Sequence, residues 1–66
     1  MNVTINGEKE TVSDGLTLAE LVSGRMRTDK GVAAAVDGAV APRSTWSDLV
    51  LQDGAAIELL TAVQGG

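Results

Sequence analysis

This 66-residue sequence offers few groups that could do chemistry. It holds no cysteine and no histidine. That removes the thiolate nucleophile, the thiolate metal site and the commonest general base. Nine acidic residues remain, but Asp14, Asp37 and Asp53 each stand directly before a glycine, where Asp serves turn geometry. No two acids share a context that would push their pKa values apart for acid–base work. The glycines form neither a G-x-G-x-x-G nor a Walker pattern. No active site and no metal or cofactor site is therefore expected on this chain. What stands out is the closing stretch LLTAVQGG, ending on Gln64, Gly65 and Gly66. Two residues without Cβ atoms can thread a narrow channel and adopt backbone angles closed to other residues. The five residues from Ala62 reach about 16–18 Å when extended. A carboxylate at the tip becomes an electrophile only when one oxygen is converted to a good leaving group, as in an acyl-adenylate. The expected working atom group is the Gly66 carboxylate, activated by a partner, with Gln64 and Gly65 as the reach that threads into it.

The bulk properties lean toward binding or carrying. A chain this short buries only about 60% of its unfolded surface and leaves little room for a catalytic cleft with its supporting shell. Without disulfides, stability must come from an aliphatic core, and 44% hydrophobic content with a single aromatic, Trp46, fits one. Five basic residues against nine acidic give a net charge of −4. That balance disfavours nucleic acid, whose phosphates need clustered Lys and Arg, and an anionic membrane surface alike. No apolar run is long enough to span a bilayer, and the opening MNVTINGEKE lacks the basic and apolar regions of a signal peptide. A cytoplasmic monomer is the expectation.

The elements that must position this tail are legible from pattern. NVTINGEKETV alternates about Asn6-Gly7, the strongest short hairpin signal, which predicts strands over about 2–6 and 8–12. Thr17 and Glu20 have capping-box spacing and predict a helix over LTLAELVSG, with Leu18, Leu21 and Val22 on one face, and with either Gly24 as a stop or the helix running on to Met26. RMRTDKG reads as a solvated loop carrying Arg25, Arg27 and Lys30. VAAAVDGAVA predicts a second hairpin about Asp37-Gly38, ended by Pro42, which cannot donate to a ladder. STWSDLVL predicts one helical turn, with Thr45 and Asp48 at capping spacing and Trp46 as a core plug or lid. AAIELLTAV is the longest strand candidate and, being apolar on both sides, is expected in the middle of the sheet. It carries Ile57, Leu59, Thr61 and Val63 on one face, and Glu58, Leu60 and Ala62 on the other. Two hairpins and a helix in this order make an α+β fold: a mixed sheet of about five strands packed on one helix, the β-grasp or ubiquitin-like arrangement. Residues 1–63 form the domain and 64–66 the tail. Leu60 and Ala62 then face a partner.

The segments VDGAVAPRSTW and LQDGAAIELLTAVQGG, with VTINGE, TLAELV and VAAAVDG before them, resemble the ThiS family, the sulfur carriers of thiamine biosynthesis. The resemblance spans the chain. Terminal Gly-Gly on a β-grasp domain is shared by all ubiquitin-like sulfur carriers, whereas Pro42, Arg43 and Trp46 at their distance from the end favour the thiamine branch. It implies that Gly66 is adenylated by a ThiF-like, ATP-dependent enzyme and then takes sulfur from a donor as a thiocarboxylate. A ThiG-like thiazole synthase would consume that sulfur. The chain would be a co-substrate and not an enzyme, and a sulfur carrier without cysteine is consistent with sulfur held on the terminal acyl carbon. Two positions depart from the family pattern: Gln64 replaces a small residue, and Ala55 replaces an acidic residue, a change expected to touch only turn solvation. Other readings stay open. They are the small subunit of a molybdopterin synthase, a ubiquitin-like modifier or sulfur donor for tRNA, and a β-grasp interaction module with an idle tail.

Overall fold

The computed structural model describes residues 1–27 and 30–61. Five strands form one sheet: β1 (Asn2–Ile5), β2 (Glu8–Thr11), β3 (Val32–Val36), β4 (Ala39–Ala41) and β5 (Ala56–Thr61). The helix α1 (Leu18–Arg25) lies between the hairpins in sequence, and a 3-10 helix spans Arg43–Asp48. The sheet order is β2-β1-β5-β3-β4. Both hairpins are antiparallel, β5 runs antiparallel to β3, and β5 runs parallel to β1. The expected mixed sheet and its central last strand are both present.

Each hairpin turn follows from its dipeptide. Asn6 and Asp37 both have φ of 52°, and Gly7 and Gly38 follow at 86° and 84°. Two consecutive positive φ values are what a type I′ turn demands, and Asn, Asp and Gly reach that region at least cost. The inward faces of the strands are then set by alternation. Val3, Ile5, Ala34, Ile57 and Leu59 are buried against Leu18, Leu21 and Val22 of α1. Fully burying one such aliphatic side chain contributes about 1.5–3 kcal/mol.

The capping box forms as expected. The Thr17 hydroxyl accepts from the Glu20 backbone N–H at 3.2 Å, and the Thr17 backbone N–H donates to Glu20 Oε1 at 3.0 Å. Of the two expected ends the longer is the one present: the helix passes through Gly24 to Arg25 and is capped at Met26, which turns extended with its N–H still bonded to the Val22 carbonyl at 2.8 Å. Arg25 therefore belongs to the last helical turn and not to a loop, and its guanidinium pairs with the Glu10 carboxylate of β2.

Three more expectations need correction. The helical turn begins earlier than the sequence suggests, directly after Pro42, and Thr45 makes no cap with Asp48. Its hydroxyl instead donates to the Pro42 carbonyl at 2.6 Å, because a 3-10 turn brings residues three apart into register. Ala55 is not a solvated turn position: it is only 3% exposed and joins the core. Last, β5 is central by pairing alone. Its outer face is open, with Glu58 and Leu60 exposed. Trp46 does plug the core: it is 3% exposed, and its indole N–H donates to the Ala41 carbonyl at 2.8 Å.

Two stability predictions follow from these contacts. Trp46→Ala removes the largest core side chain and should cost about 3–5 kcal/mol, enough to leave so small a domain largely unfolded by circular dichroism. Trp46→Phe keeps an aromatic ring but removes the indole N–H bond to the Ala41 carbonyl, and should cost about 1–3 kcal/mol in urea unfolding. The Glu20 carboxyl is held below its ordinary pKa, first by the Thr17 backbone N–H and then by the Thr17 hydroxyl. A lowered folded pKa stabilises the fold above the unfolded value and loses that contribution as pH falls through the folded one. Glu20→Gln should accordingly flatten the acid limb of the stability profile, and an unchanged limb would exclude Glu20 as its source.

Candidate functional site

The strand that leads into the tail is held from both sides. On the β1 side, Thr4 and Asn6 backbone N–H groups donate to the Ala55 and Ile57 carbonyls at 2.9 and 2.8 Å. The hairpin then turns β1 away, and the Asn6 side chain takes over. Leu59 N–H donates to Asn6 Oδ1 at 2.9 Å, and Asn6 Nδ2 donates to the Leu59 carbonyl at 3.2 Å. On the other side β3 pairs with β5 as far as Val32 opposite Thr61. The second turn adds its own clamp at the start of β5, where Asp37 N–H donates to the Ala56 carbonyl at 2.7 Å and Ala56 N–H donates to Asp37 Oδ1 at 2.9 Å.

The face of the sheet opposite α1 divides by register. Over β1 and β2 it is polar, with Thr4 opposite Lys9 and the Thr11 hydroxyl donating to Asn2 Oδ1 at 2.9 Å. Over β5, β3 and β4 it is apolar apart from Glu58. Leu60 stands opposite Ala33, Glu58 opposite Ala35, and Ala35 opposite Val40. Leu60 is 68% exposed and Val40 78%. These side chains line one strip that ends where β5 gives way to the tail. Contiguous exposed apolar surface of this kind marks contact with another protein more often than a lone exposed leucine does.

The sequence placed Leu60 on this face, and the structure agrees. Ala62, Gln64, Gly65 and Gly66 lie outside the described residues. Val40 was missed, although it was within reach: if Ala34 faces the core and the turn is two residues, Ala35 and its partner Val40 must face outward. The Asn6 clamp was missed because a turn signal says nothing about a strand more than fifty positions away. Among the described residues no group of three or more acidic side chains is gathered to hold a metal ion, and no helix is long and apolar enough to cross a membrane.

The ThiS family model matches residues 2–66 of this sequence, from the first strand through the final glycine. The chain belongs to the ThiS family. The sulfur carrier protein ThiS of Escherichia coli strain K12 is 29% identical over 66 residues, with each chain covered in full. The crystal structure of the thiamine biosynthesis protein ThiS from Geobacter metallireducens superposes with a TM-score of 0.86 at 32% identity, again covering all of both chains. The solution structure of the Geobacter protein gives 0.82 at 32% identity over all of this chain and 88% of that one. The fold is therefore the β-grasp of ThiS proteins, with β5 as its central strand.

The two faces of β5 predict opposite sensitivities. Leu59→Ala, on the buried face, should cost about 2–5 kcal/mol, whereas Leu60→Glu, on the open face, should change stability by no more than about 0.5 kcal/mol in urea unfolding.

Proposed function

We propose that this chain is a sulfur carrier in thiamine biosynthesis that works through the carboxylate of Gly66. The observation that carries the reading is the family match through residue 66 in a sequence without cysteine. A carrier with no thiol needs another atom to hold sulfur, and the terminal acyl carbon is the one such position. In this reading a ThiF-like enzyme brings a Gly66 carboxylate oxygen onto the α-phosphorus of ATP, and pyrophosphate leaves. The acyl-adenylate then meets a sulfur nucleophile at its carbonyl carbon, AMP leaves, and a thiocarboxylate remains. A ThiG-like thiazole synthase takes the sulfur from there. The chain itself acts as co-substrate, with ATP and the sulfur donor handled by the partner.

The domain contributes presentation. Exposed Leu60 supports a docking face beside the tail, with Ala62 continuing it by alternation and Gln64 and Gly65 passing into the partner's slot. Glycine suits the last two positions because a side chain would obstruct the nucleophile's line to the carbonyl.

Incubation with the activating enzyme, ATP and a sulfur source should raise the intact mass by about 16 Da, one oxygen exchanged for sulfur. Deleting Gly66 should abolish the gain while leaving the circular dichroism spectrum unchanged. Leu60→Glu should weaken association with the activating enzyme at unchanged stability. Thiazole phosphate formed on addition of thiazole synthase would assign the thiamine branch. Sulfur transfer only to a molybdopterin precursor or to tRNA would move the chain to another branch, and no mass gain with an active enzyme would leave a passive interaction module.

A further inference from the structure

We propose that Asn6 is a positioning residue for the sulfur carrier's interaction with its activating enzyme: its side-chain amide fixes the last residues of β5, Leu59 to Thr61. What that end does rests on the function proposed above; the clamp itself rests on geometry. The last backbone bond from the first hairpin to β5 reaches Ile57. Leu59, two residues further, presents its N–H and C=O to the same side, where β1 has already turned away. The Asn6 amide meets both, accepting at 2.9 Å and donating at 3.2 Å. A primary amide carries an acceptor and donors in one plane, as a peptide group does, whereas an ionised carboxylate only accepts.

The second turn shows that this choice is not dictated by turn geometry. Asp37 occupies the corresponding position at the same φ of 52°. There the side chain needs only to accept, because the Asp37 backbone N–H already serves the Ala56 carbonyl. At position 6 the backbone N–H is spent on Ile57, so the side chain must both accept from and donate to Leu59. The side chain at each turn thus matches the bonds that β5 requires of it. Removing the Asn6 amide leaves β5 beyond Ile57 held by β3 alone, at the four residues Glu58, Leu59, Leu60 and Thr61.

Asn6→Gly keeps a residue that accepts positive φ and removes both bonds. Leu59 amide exchange should rise about tenfold or more while Ile5 and Ile57 stay protected. The KM of the activating enzyme for the carrier should rise about five- to tenfold with kcat within about twofold, because the acyl carbon itself is unchanged. Asn6→Asp keeps the acceptor and should fall between, retaining part of the Leu59 protection and part of the KM. It also supplies the measurement if Asn6→Gly fails to fold. Unchanged Leu59 exchange in both variants would overturn the clamp, and faster exchange at unchanged KM would overturn the positioning role. Should the unaltered chain accept no sulfur, the proposed function fails instead. The amide order parameters of Leu60 and Thr61, together with Leu59 exchange, then decide alone whether Asn6 fixes the strand's exit.

Discussion

Within the sheet, every bond that joins the N-terminal hairpin to the second hairpin runs through β5. Neither hairpin could bury its apolar face alone; two-stranded ribbons are marginal in water. Inserted between them, β5 joins the two into one surface broad enough to cover α1. Ile57 is consequently among the most deeply buried residues and Leu59 joins it in the core, and the turn residues Asn6 and Asp37 spend side-chain bonds on this strand and not on their own loops. The strand that completes the fold is also the strand that leads into the Gly-Gly end.

This double duty is possible because a strand addresses two faces at once. Inward side chains of β5 belong to the core, and outward ones remain open for contact. A substitution at Glu58 or Leu60 therefore leaves the core packing of Ile57 and Leu59 untouched. The same period explains why the apolar strip over β3, β4 and β5 costs the domain little. Ala33 and Ala35 are small, so its exposed bulk is confined to Val40 and Leu60.

The elements that depend on local chemistry were legible in the sequence. Asn6-Gly7 and Asp37-Gly38 specify their turns through backbone angles, Thr17 and Glu20 specify a cap through spacing, and alternation specifies the two faces of β5. What could not be read depends on partners distant in sequence. The pattern left the helix end open between Gly24 and Met26, and helical geometry continued to Arg25, which finds Glu10 across the fold. Ala55 looked like part of a turn, yet tertiary packing placed it in the core. Thr45 and Asp48 had capping spacing, but the tighter 3-10 geometry after Pro42 redirected the threonine to a carbonyl. For the candidate site, Leu60 followed from alternation, Val40 followed from a hairpin register that had not been carried through, and Asn6 could be recognised only with β5 in place.

Central placement also governs how the domain bears load. Ladder bonds lie across the strand direction, so a pull on the chain beyond Thr61, directed along β5, would act on them in shear from both flanks at once. Peeling would break bonds singly, but it requires a free edge, and β5 has β1 on one side and β3 on the other. A domain built this way yields to such a pull only when several bonds fail together.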